Sequence, residues 1–189
     1  MEKDSQCCNE LAKLSAHDDE KFIELYETFF KRVYNFTYSK IRNAFDADEI
    51  TNEVFYKVFM NLEHYSGTSS FAAWLFRITL NAVNDYCRYK SRKRQVITED
   101  WEEFFDETTS ADEQPENLLL IEEERRLLLK ALDKLTERER QIIALKYWSD
   151  CTNIEIAEIL NLTASNVGII LFRALNKLKK IYGENADNE

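Results

Sequence analysis

The 189-residue chain has few of the residues that interrupt helices. It contains three glycines and one proline, Pro115. Hydrophobic residues make up 44% of the chain, which is enough to build ordinary cores. A sequence so poor in helix breakers argues against a β-rich fold and predicts an all-α fold class.

The sequence also lacks the signals of a membrane span or a metal site. Its apolar runs are only a few residues long, so we expect a cytoplasmic protein with no direct membrane insertion. The possible soft metal ligands are few: Cys7, Cys8, Cys87, Cys151, His17 and His64. No C-x-x-C pair occurs and the histidines lie far from the cysteines in sequence, which predicts reduced cysteines, no zinc and no other cofactor.

Motifs for enzymatic chemistry are missing as well. The sequence has no P-loop, no glycine-rich nucleotide turn and no motif that pairs a nucleophile with a base. We therefore expect a binding protein rather than an enzyme.

Charge is distributed unevenly along the chain. The net charge is −10, but residues 98–124 hold 12 acidic and no basic side chains, whereas residues 61–97 hold 6 basic and 2 acidic ones. The second segment could therefore bind a polyanion in spite of the total charge. The pattern predicts two small helical domains, at 1–97 and 116–189, joined by an acidic linker at 98–115. We expect aromatic residues near this linker, Trp101, Phe104 and Phe105, to dock on a domain or a partner.

Hydrophobic periodicity predicts seven helices. They lie near residues 18–41, 46–63, 69–93, 116–134, 136–148, 152–160 and 164–181. Asp46 is the expected N-cap of the second, since Glu49 follows it at the spacing of a capping box.

The helix at 69–93 presents two different faces. Its apolar stripe recurs at steps of three or four residues: Phe71, Leu75, Ile78, Ala82 and Tyr86. The opposite face recurs at the same spacing: Trp74, Arg77, Asn81, Asp85 and Arg88. An aromatic ring, an amide and cations suit base stacking and phosphate binding. An ordinary amphipathic helix with a solvated polar face would show the same periodicity.

The last two helices have the pattern of a helix-turn-helix. Ile154, Ala157 and Leu160 are expected to point inward, with Leu162 in the turn and Val167 early in the next helix. A plain helical hairpin is the alternative interpretation.

Four segments in this order resemble the extracytoplasmic-function (ECF) subfamily of the sigma-70 family of RNA polymerase sigma factors. They are LYETFFKRVYNFTYSKI, DADEITNEVFYKVFMNL, YSGTSSFAAWLFRITLNAVNDYCRYKSRKR and ALDKLTERERQIIALKYWSDCTNIEIAEILNLTASNV. The resemblance runs from about Phe22 to Ile181 and implies a two-domain DNA-binding protein that works in transcription initiation and transcription regulation.

The resemblance implies core RNA polymerase and promoter DNA as partners. The residues implied to bind core polymerase are Asp46, Asp48, Glu49, Asn52, Glu53 and Phe55. Their acids would face basic helices of the polymerase clamp, while Phe55 and Val58 would add packing. The family usually has glutamine at the position of Asn52.

The resemblance also implies which residues read the promoter. Those for the minus-ten element are Ser66, Gly67, Thr68, Ser69, Ser70, Phe71, Trp74, Arg77, Asn81, Asp85, Arg88, Lys90 and Arg92. The loop His64–Ser70 would hold a base turned out of the stack, and Trp74 would either stack on it or support the loop from the core.

The residues implied for the minus-thirty-five element are Thr163, Ser165, Asn166, Arg173 and Lys177. The family often has a polar run just after Val167, where this chain has Gly168, Ile169 and Ile170. Gly168 would allow close approach to DNA, or this face would prefer a protein partner; the sequence leaves both open.

An anti-sigma factor is a further implied partner, and its own attachment to a membrane is left open. Ile169, Ile170 and the acidic linker are its expected contacts. The rival interpretation is a helix-turn-helix transcription regulator that acts without core-polymerase binding.

Overall fold

The computed structural model describes residues 2–16, 18–94, 128 and 131–186; side chains are described for residues 7–16, 18–92, 128 and 131–181. The predicted acidic linker, its aromatic residues and most of the predicted helix at 116–134 lie outside these residues. Within them the chain forms seven α-helices and no strand. The all-α fold class predicted from the sequence is confirmed.

The first four helices pack against one another. They are α1 (Glu2–Ser15), α2 (Asp19–Ile41), α3 (Ala44–Asn61) and α4 (Phe71–Arg94), with a 3₁₀ turn at Leu62–His64. Their boundaries match the three helices predicted in this part of the sequence, but α1 was not predicted. Among its 14 residues the only large apolar side chains are Leu11 and Leu14, so its apolar content is low.

The last three helices follow the predicted bounds closely. They are α5 (Glu137–Tyr147), α6 (Asn153–Leu160) and α7 (Ala164–Ala186). Thr136 and Thr152 begin α5 and α6 with complete capping boxes, each closed by a glutamate three residues on. Asn161, at φ 54°, ends α6 in the left-handed conformation that asparagine tolerates. Val167 is fully buried, whereas Ile154, predicted to point inward, is 65% exposed.

The cap of α3 corrects the sequence prediction. Asn43, not Asp46, is the N-cap, and its side chain accepts a hydrogen bond of 2.8 Å from the amide of Asp46. The Asp46 carboxylate is thereby left to join α3 to α4. It accepts hydrogen bonds from Tyr86 and, at 2.7 Å, from the Lys90 ammonium.

Aromatic rings fill the centre of the first four helices. Phe29 of α2 meets Phe71 of α4 edge to face, with ring centroids 5.3 Å apart, and Phe36 meets Phe76 in the same way at 5.9 Å. All four rings are fully buried. Burial of this size dominates the stability of a small helical domain and fixes the rotation of α4 about its axis.

One hydrophobic cluster continues from the first four helices into the last three. Its buried members include Phe76 of α4 together with Ile142, Leu145 and Ile156 of the C-terminal part. Arg32 bridges the two parts: its Nε donates a 2.8 Å hydrogen bond to the Ser149 carbonyl, and its guanidinium lies 4.8 Å from the centroid of the Phe29 ring. In this conformation the two predicted domains pack together.

No single helix in the described part of the chain is long and apolar enough to cross a membrane. Helices α6 and α7 together are long and apolar enough for a membrane span, but the chain bends by 102° between them.

Replacement of Arg32 by alanine tests the contact between the two parts. The substitution removes the donor to the buried Ser149, so we expect the free energy of unfolding to fall by about 1–3 kcal/mol. Urea denaturation at pH 7 measures this, with the exposed neighbour Lys31→Ala as the matched control. Equal stability of the two variants would contradict the bridging role of Arg32.

The pH dependence of stability tests the link between α3 and α4. Burial acts to raise the pKa of Asp46, but the hydrogen bonds from Lys90 and Tyr86 and the Lys90 charge outweigh it and hold that pKa below its ordinary value. The resulting stabilisation is complete above the unfolded-state pKa, near 4, and is lost as the pH falls through the lower folded-state pKa.

Asp46→Asn should therefore lower the free energy of unfolding by about 0.5–1 kcal/mol at pH 7, a value reduced for the partial exposure of Lys90. The difference from wild type should shrink at pH 3. Urea denaturation at both pH values measures it, with the exposed Asp48→Asn as control. A loss of stability that is the same at both pH values would exclude the charge as its cause.

Candidate functional site

The outer side of α3 is an acidic surface. Asp48, Glu49, Asn52 and Glu53 are all exposed, and they occur at helical spacing on the side turned away from the core. Within this surface Asn52 Nδ2 donates a 3.3 Å hydrogen bond to Asp48, and Glu53 pairs with Lys57 at 2.5 Å. The structure therefore brings together four of the six residues predicted to bind polymerase.

The other two predicted residues lie elsewhere. Asp46 is half-buried and forms an ion pair with Lys90, as described above. Asp46, predicted to bind polymerase, and Lys90, predicted to bind DNA, are therefore both engaged within the protein. Phe55 is only 3% exposed and packs against Tyr26, with ring centroids 4.7 Å apart. The ring is covered within the protein in this conformation, and its role in polymerase binding stays a prediction.

Exposed apolar side chains extend the acidic surface. Tyr56 and Met60 follow Asn52 and Glu53 along α3 and are 65% and 58% exposed, and Phe45, at the start of the helix, is 78% exposed. Sequence reasoning missed these residues, although they continue the polar side of α3 at helical spacing. A surface with carboxylates beside large apolar groups suits a partner that offers cations and apolar side chains together.

The loop between the 3₁₀ turn and α4 has a defined shape. Gly67 adopts φ 72°, a conformation that favours glycine, and the Ser66 and Thr68 hydroxyls lie 2.9 Å apart. Ser66 and Thr68 are exposed, whereas Ser70 turns back to cap α4 by accepting a hydrogen bond from the Ala73 amide. The loop thus presents small polar groups to solvent while its end is fixed to the helix.

An open groove lies beside this loop. Its volume is about 490 Å³, and it is lined by Lys57, Asn61, His64, Trp74, Ile78 and Asn81. The groove combines two flat rings, two amides and one cation, which are groups that stack on a base, hydrogen-bond its edge and neutralise a phosphate. The cation, Lys57, is paired with Glu53, so a phosphate contact requires that this ion pair open. The predicted DNA contacts did not include three of the groove residues, Lys57, Asn61 and Ile78. They lie on two helices, α3 and α4, and only the fold brings them together.

Trp74 supports the loop from the core and also lines the groove, and its stacking on a base stays a prediction. Its ring lies 5.4 Å from the Tyr65 ring and 5.7 Å from the buried Phe71 ring, so it belongs to the aromatic cluster that supports the loop. Its other side lines the groove. Phe71 itself is fully buried and is a support rather than a surface group.

The polar face of α4 is partly covered by the C-terminal helices. Asn81, Asp85 and Arg88 are exposed, with Arg88 paired to Asp85 at 3.0 Å, and Arg92 is exposed further along. Arg77 instead donates two hydrogen bonds, of 3.1 and 3.3 Å, to the Glu158 carbonyl of α6. A DNA contact by Arg77 requires that these bonds open.

The second helix of the helix-turn-helix exposes a mixed face. Thr163 caps α7 by accepting a 3.2 Å hydrogen bond from the Asn166 amide, and Ser165, Asn166 and Arg173 are exposed. Lys177 pairs at 2.6 Å with the buried Glu139 of α5, so it already has a partner.

Large apolar side chains share the exposed face of α7. Ile169 is 47% exposed and Phe172 is 67% exposed. Ile170, by contrast, is half-buried against the main core, so of the two isoleucines expected to contact an anti-sigma factor only Ile169 is exposed. Phe172 was not singled out from the sequence.

The cysteines and acids form no metal site among the described residues: no three histidine, cysteine, aspartate or glutamate side chains lie together there. Burial raises the pKa of Cys151 to about 12, so its thiol stays protonated at neutral pH. That state does not suit a redox-sensing cysteine, which needs a thiolate.

Comparison with known protein families matches two parts of the chain. Residues 25–93 match Sigma-70 region 2, which covers most of α2 and the whole of α3 and the groove. Residues 125–178 match Sigma-70, region 4, which contains the helix-turn-helix.

Curated relatives align over nearly their full length. The ECF RNA polymerase sigma factor SigW of Bacillus subtilis is 25% identical over 86% of this chain and 89% of the relative. SigM of the same organism, also an ECF RNA polymerase sigma factor, is 26% identical over 88% of this chain and 98% of the relative.

Two solved structures share the fold. The chain superposes on CnrH, solved in complex with the cytosolic domain of CnrY, with a TM-score of 0.67, 21% identity and coverage of 93% and 97% of the two chains. For the sigma factor RpoE of Bartonella quintana, in complex with the anti-sigma factor NepR, the TM-score is 0.63, at 20% identity and 87% and 98% coverage. The region 2 and region 4 matches in their order along the chain, with the full-length relatives, identify the protein as a member of the ECF subfamily of the sigma-70 family of RNA polymerase sigma factors.

Proposed function

We propose that this sigma factor binds core RNA polymerase through the acidic surface of α3 and holds the melted minus-ten strand in the groove beside α4. The groove is the observation that carries the proposal. Its rings, amides and cation converge at the loop that the family resemblance assigns to the minus-ten element. The protein has no reaction of its own in this role and acts in the cytoplasm, where its polymerase works.

The acidic surface supports the polymerase part of the proposal. Four exposed polar or acidic side chains lie beside the exposed Tyr56 and Met60, so the surface offers both steering charge and an apolar contact. The charged groups would orient the encounter, and the apolar groups would add affinity once water is excluded.

The C-terminal helix-turn-helix would bind duplex DNA at the minus-thirty-five element. Ser165 and Asn166 lie exposed at the start of α7, which is where a recognition helix reaches base edges. Arg173, two turns later, would contact a phosphate. The pairing of Lys177 with Glu139 makes its phosphate contact weaker than that of Arg173, since the ion pair must open first.

A regulator that uses only the helix-turn-helix is the alternative function. It leaves the acidic surface and the groove without a use, although both lie in the segment that matches region 2. Binding of purified core polymerase by the full-length protein would exclude it.

Two sets of substitutions separate polymerase binding from strand capture. Asn52→Ala with Glu53→Ala should weaken core-polymerase binding about tenfold, because two groups are lost from the acidic surface. Asn81→Ala should leave core binding unchanged and slow promoter opening about tenfold, because an amide is lost from the groove.

Fluorescence anisotropy measures binding of purified bacterial core polymerase, and 2-aminopurine fluorescence measures opening of a duplex selected from a randomised library by the wild-type holoenzyme. Glu63→Ala, on an exposed residue outside both surfaces, is the control. The proposal fails if both variants lose the same property to the same extent.

We further propose that an anti-sigma factor controls this protein and docks on the apolar part of the α7 face. Ile169 and Phe172 lie one helical turn apart and leave an apolar strip uncovered in the described structure. Large exposed apolar side chains commonly mark a protein interface. The same side chains could also touch thymine methyl groups, so the test must separate the two partners.

Phe172→Glu should abolish recovery of the anti-sigma factor when the tagged protein is isolated from its native cells and its partners are identified by mass spectrometry. A charge in an apolar contact costs binding because it must be desolvated. Lys180→Glu, exposed further along α7, is the control for added negative charge. If Phe172→Glu recovers the partner as wild type does, but loses minus-thirty-five binding, the strip contacts DNA instead.

A further inference from the structure

The unpredicted helix α1 contacts the loop that lies beside the groove. This helix precedes the segment that matches region 2, which begins at residue 25. It is docked firmly: Ala12 is fully buried in the main core and Ser15 is 4% exposed. Its contacts are made with α2, with the 3₁₀ turn and with α4.

Asn9 of α1 ties the two ends of the loop together. Its Oδ1 accepts a 2.7 Å hydrogen bond from the Phe71 amide, where α4 begins, and a 3.2 Å hydrogen bond from the Tyr65 hydroxyl, where the loop begins. The Tyr65 hydroxyl has a single proton, which it also donates to the Ser69 carbonyl at 2.7 Å, so Asn9 and Ser69 share this donor. One side-chain oxygen, more than fifty residues away in sequence, therefore closes the base of the loop.

The hydrogen bond from the Phe71 amide to Asn9 supplies an acceptor that α4 itself lacks. The first amides of an α-helix have no acceptor within the helix, and the Phe71 amide is the first of α4. The side chains beside it are the supports of the groove, because the Phe71 and Tyr65 rings both pack against Trp74. A shift of this amide would therefore move the ring that lines the groove.

A second contact of α1 lies at the tip of the loop. A Cβ placed on Gly67 would come within 2.8 Å of Lys13 Cε, so the Lys13 side chain lies directly against this glycine. Helix α1 thus touches the loop at its base through Asn9 and at its tip through Lys13.

We propose that Asn9 is a positioning residue for minus-ten strand capture: it holds the loop and Trp74 in the arrangement that receives an unpaired base. The inference rests on the proposed function of the groove. It predicts that Asn9 affects promoter opening without touching DNA or polymerase itself, because pre-organisation of a binding loop lowers the cost of ordering it at the moment of binding.

Asn9→Ala should reduce the rate of promoter opening and the affinity for a single-stranded oligonucleotide of the minus-ten sequence by about tenfold each, as expected for the loss of a part-buried hydrogen bond. Core-polymerase affinity should stay unchanged. Asn9→Asp keeps an acceptor for the Phe71 amide and should restore most of the opening rate. Glu10→Ala, on the next and exposed residue of α1, is the matched control.

Tyr65→Phe gives an independent variant that keeps the aromatic ring and removes only the hydroxyl. It should slow opening about threefold. All variants are assayed as full-length protein with core polymerase, on the duplex selected by the wild-type holoenzyme, at a temperature well below each measured melting temperature. A merely structural role would lower the melting temperature and leave the opening rate unchanged.

The outcomes separate this inference from the proposed function. If wild type opens the duplex while Asn9→Ala and Tyr65→Phe match Glu10→Ala, the positioning role of Asn9 is wrong and the proposed function stands. Failure of Asn9→Asp to restore opening would also overturn the role of the acceptor. A wild-type protein that binds no core polymerase would overturn the proposed function and this inference with it.

Discussion

The packing of α4 against α2 is the interaction on which the proposed minus-ten surface depends. Phe71 is the first residue of α4 and Phe76 lies in its second turn. Each is buried edge to face with a ring of α2, so the helix has one possible rotation about its axis. That rotation places Trp74 and Asn81 at the groove and leaves Asp85 and Arg88 on the open face. The polar face of such a helix points in a fixed direction only because the apolar face on its other side is packed against the core.

In the described conformation, contacts between the N-terminal and the C-terminal helices would have to break for promoter binding. Arg77 is hydrogen-bonded to the Glu158 carbonyl, and Ser70 at the loop is 3.3 Å from Glu155 of the same helix. A single hydrophobic cluster joins the two parts beneath these contacts. The peripheral bonds are individually weak in water, and it is the shared apolar surface that sets the free energy of separation. A partner that binds both parts more tightly when they are apart would shift this equilibrium toward the open form.

Sequence patterns predicted most of this fold because helix caps and inward-facing apolar positions are local signals. Thr136 and Thr152 begin α5 and α6, whose predicted bounds lie within one residue of those observed, and Ala157 is buried as expected. The errors fall where the partner is distant in sequence. Asp46 was expected to cap α3, but a lysine 44 residues away binds it. The groove residues Lys57 and Asn61 and the acceptor Asn9 likewise give no local signal, because only tertiary contacts define their roles.

The position of Asp46 also changes the electrostatics of the proposed polymerase surface. Its carboxylate is at the end of the acidic face of α3, yet Lys90 neutralises it within the protein. This ion pair links the acidic face of α3 to the basic end of α4. Loss of Asp46 would remove one negative charge from the start of α3 and weaken the field offered to a basic partner. Asp46 would then affect polymerase encounter through charge, without being a contact residue itself.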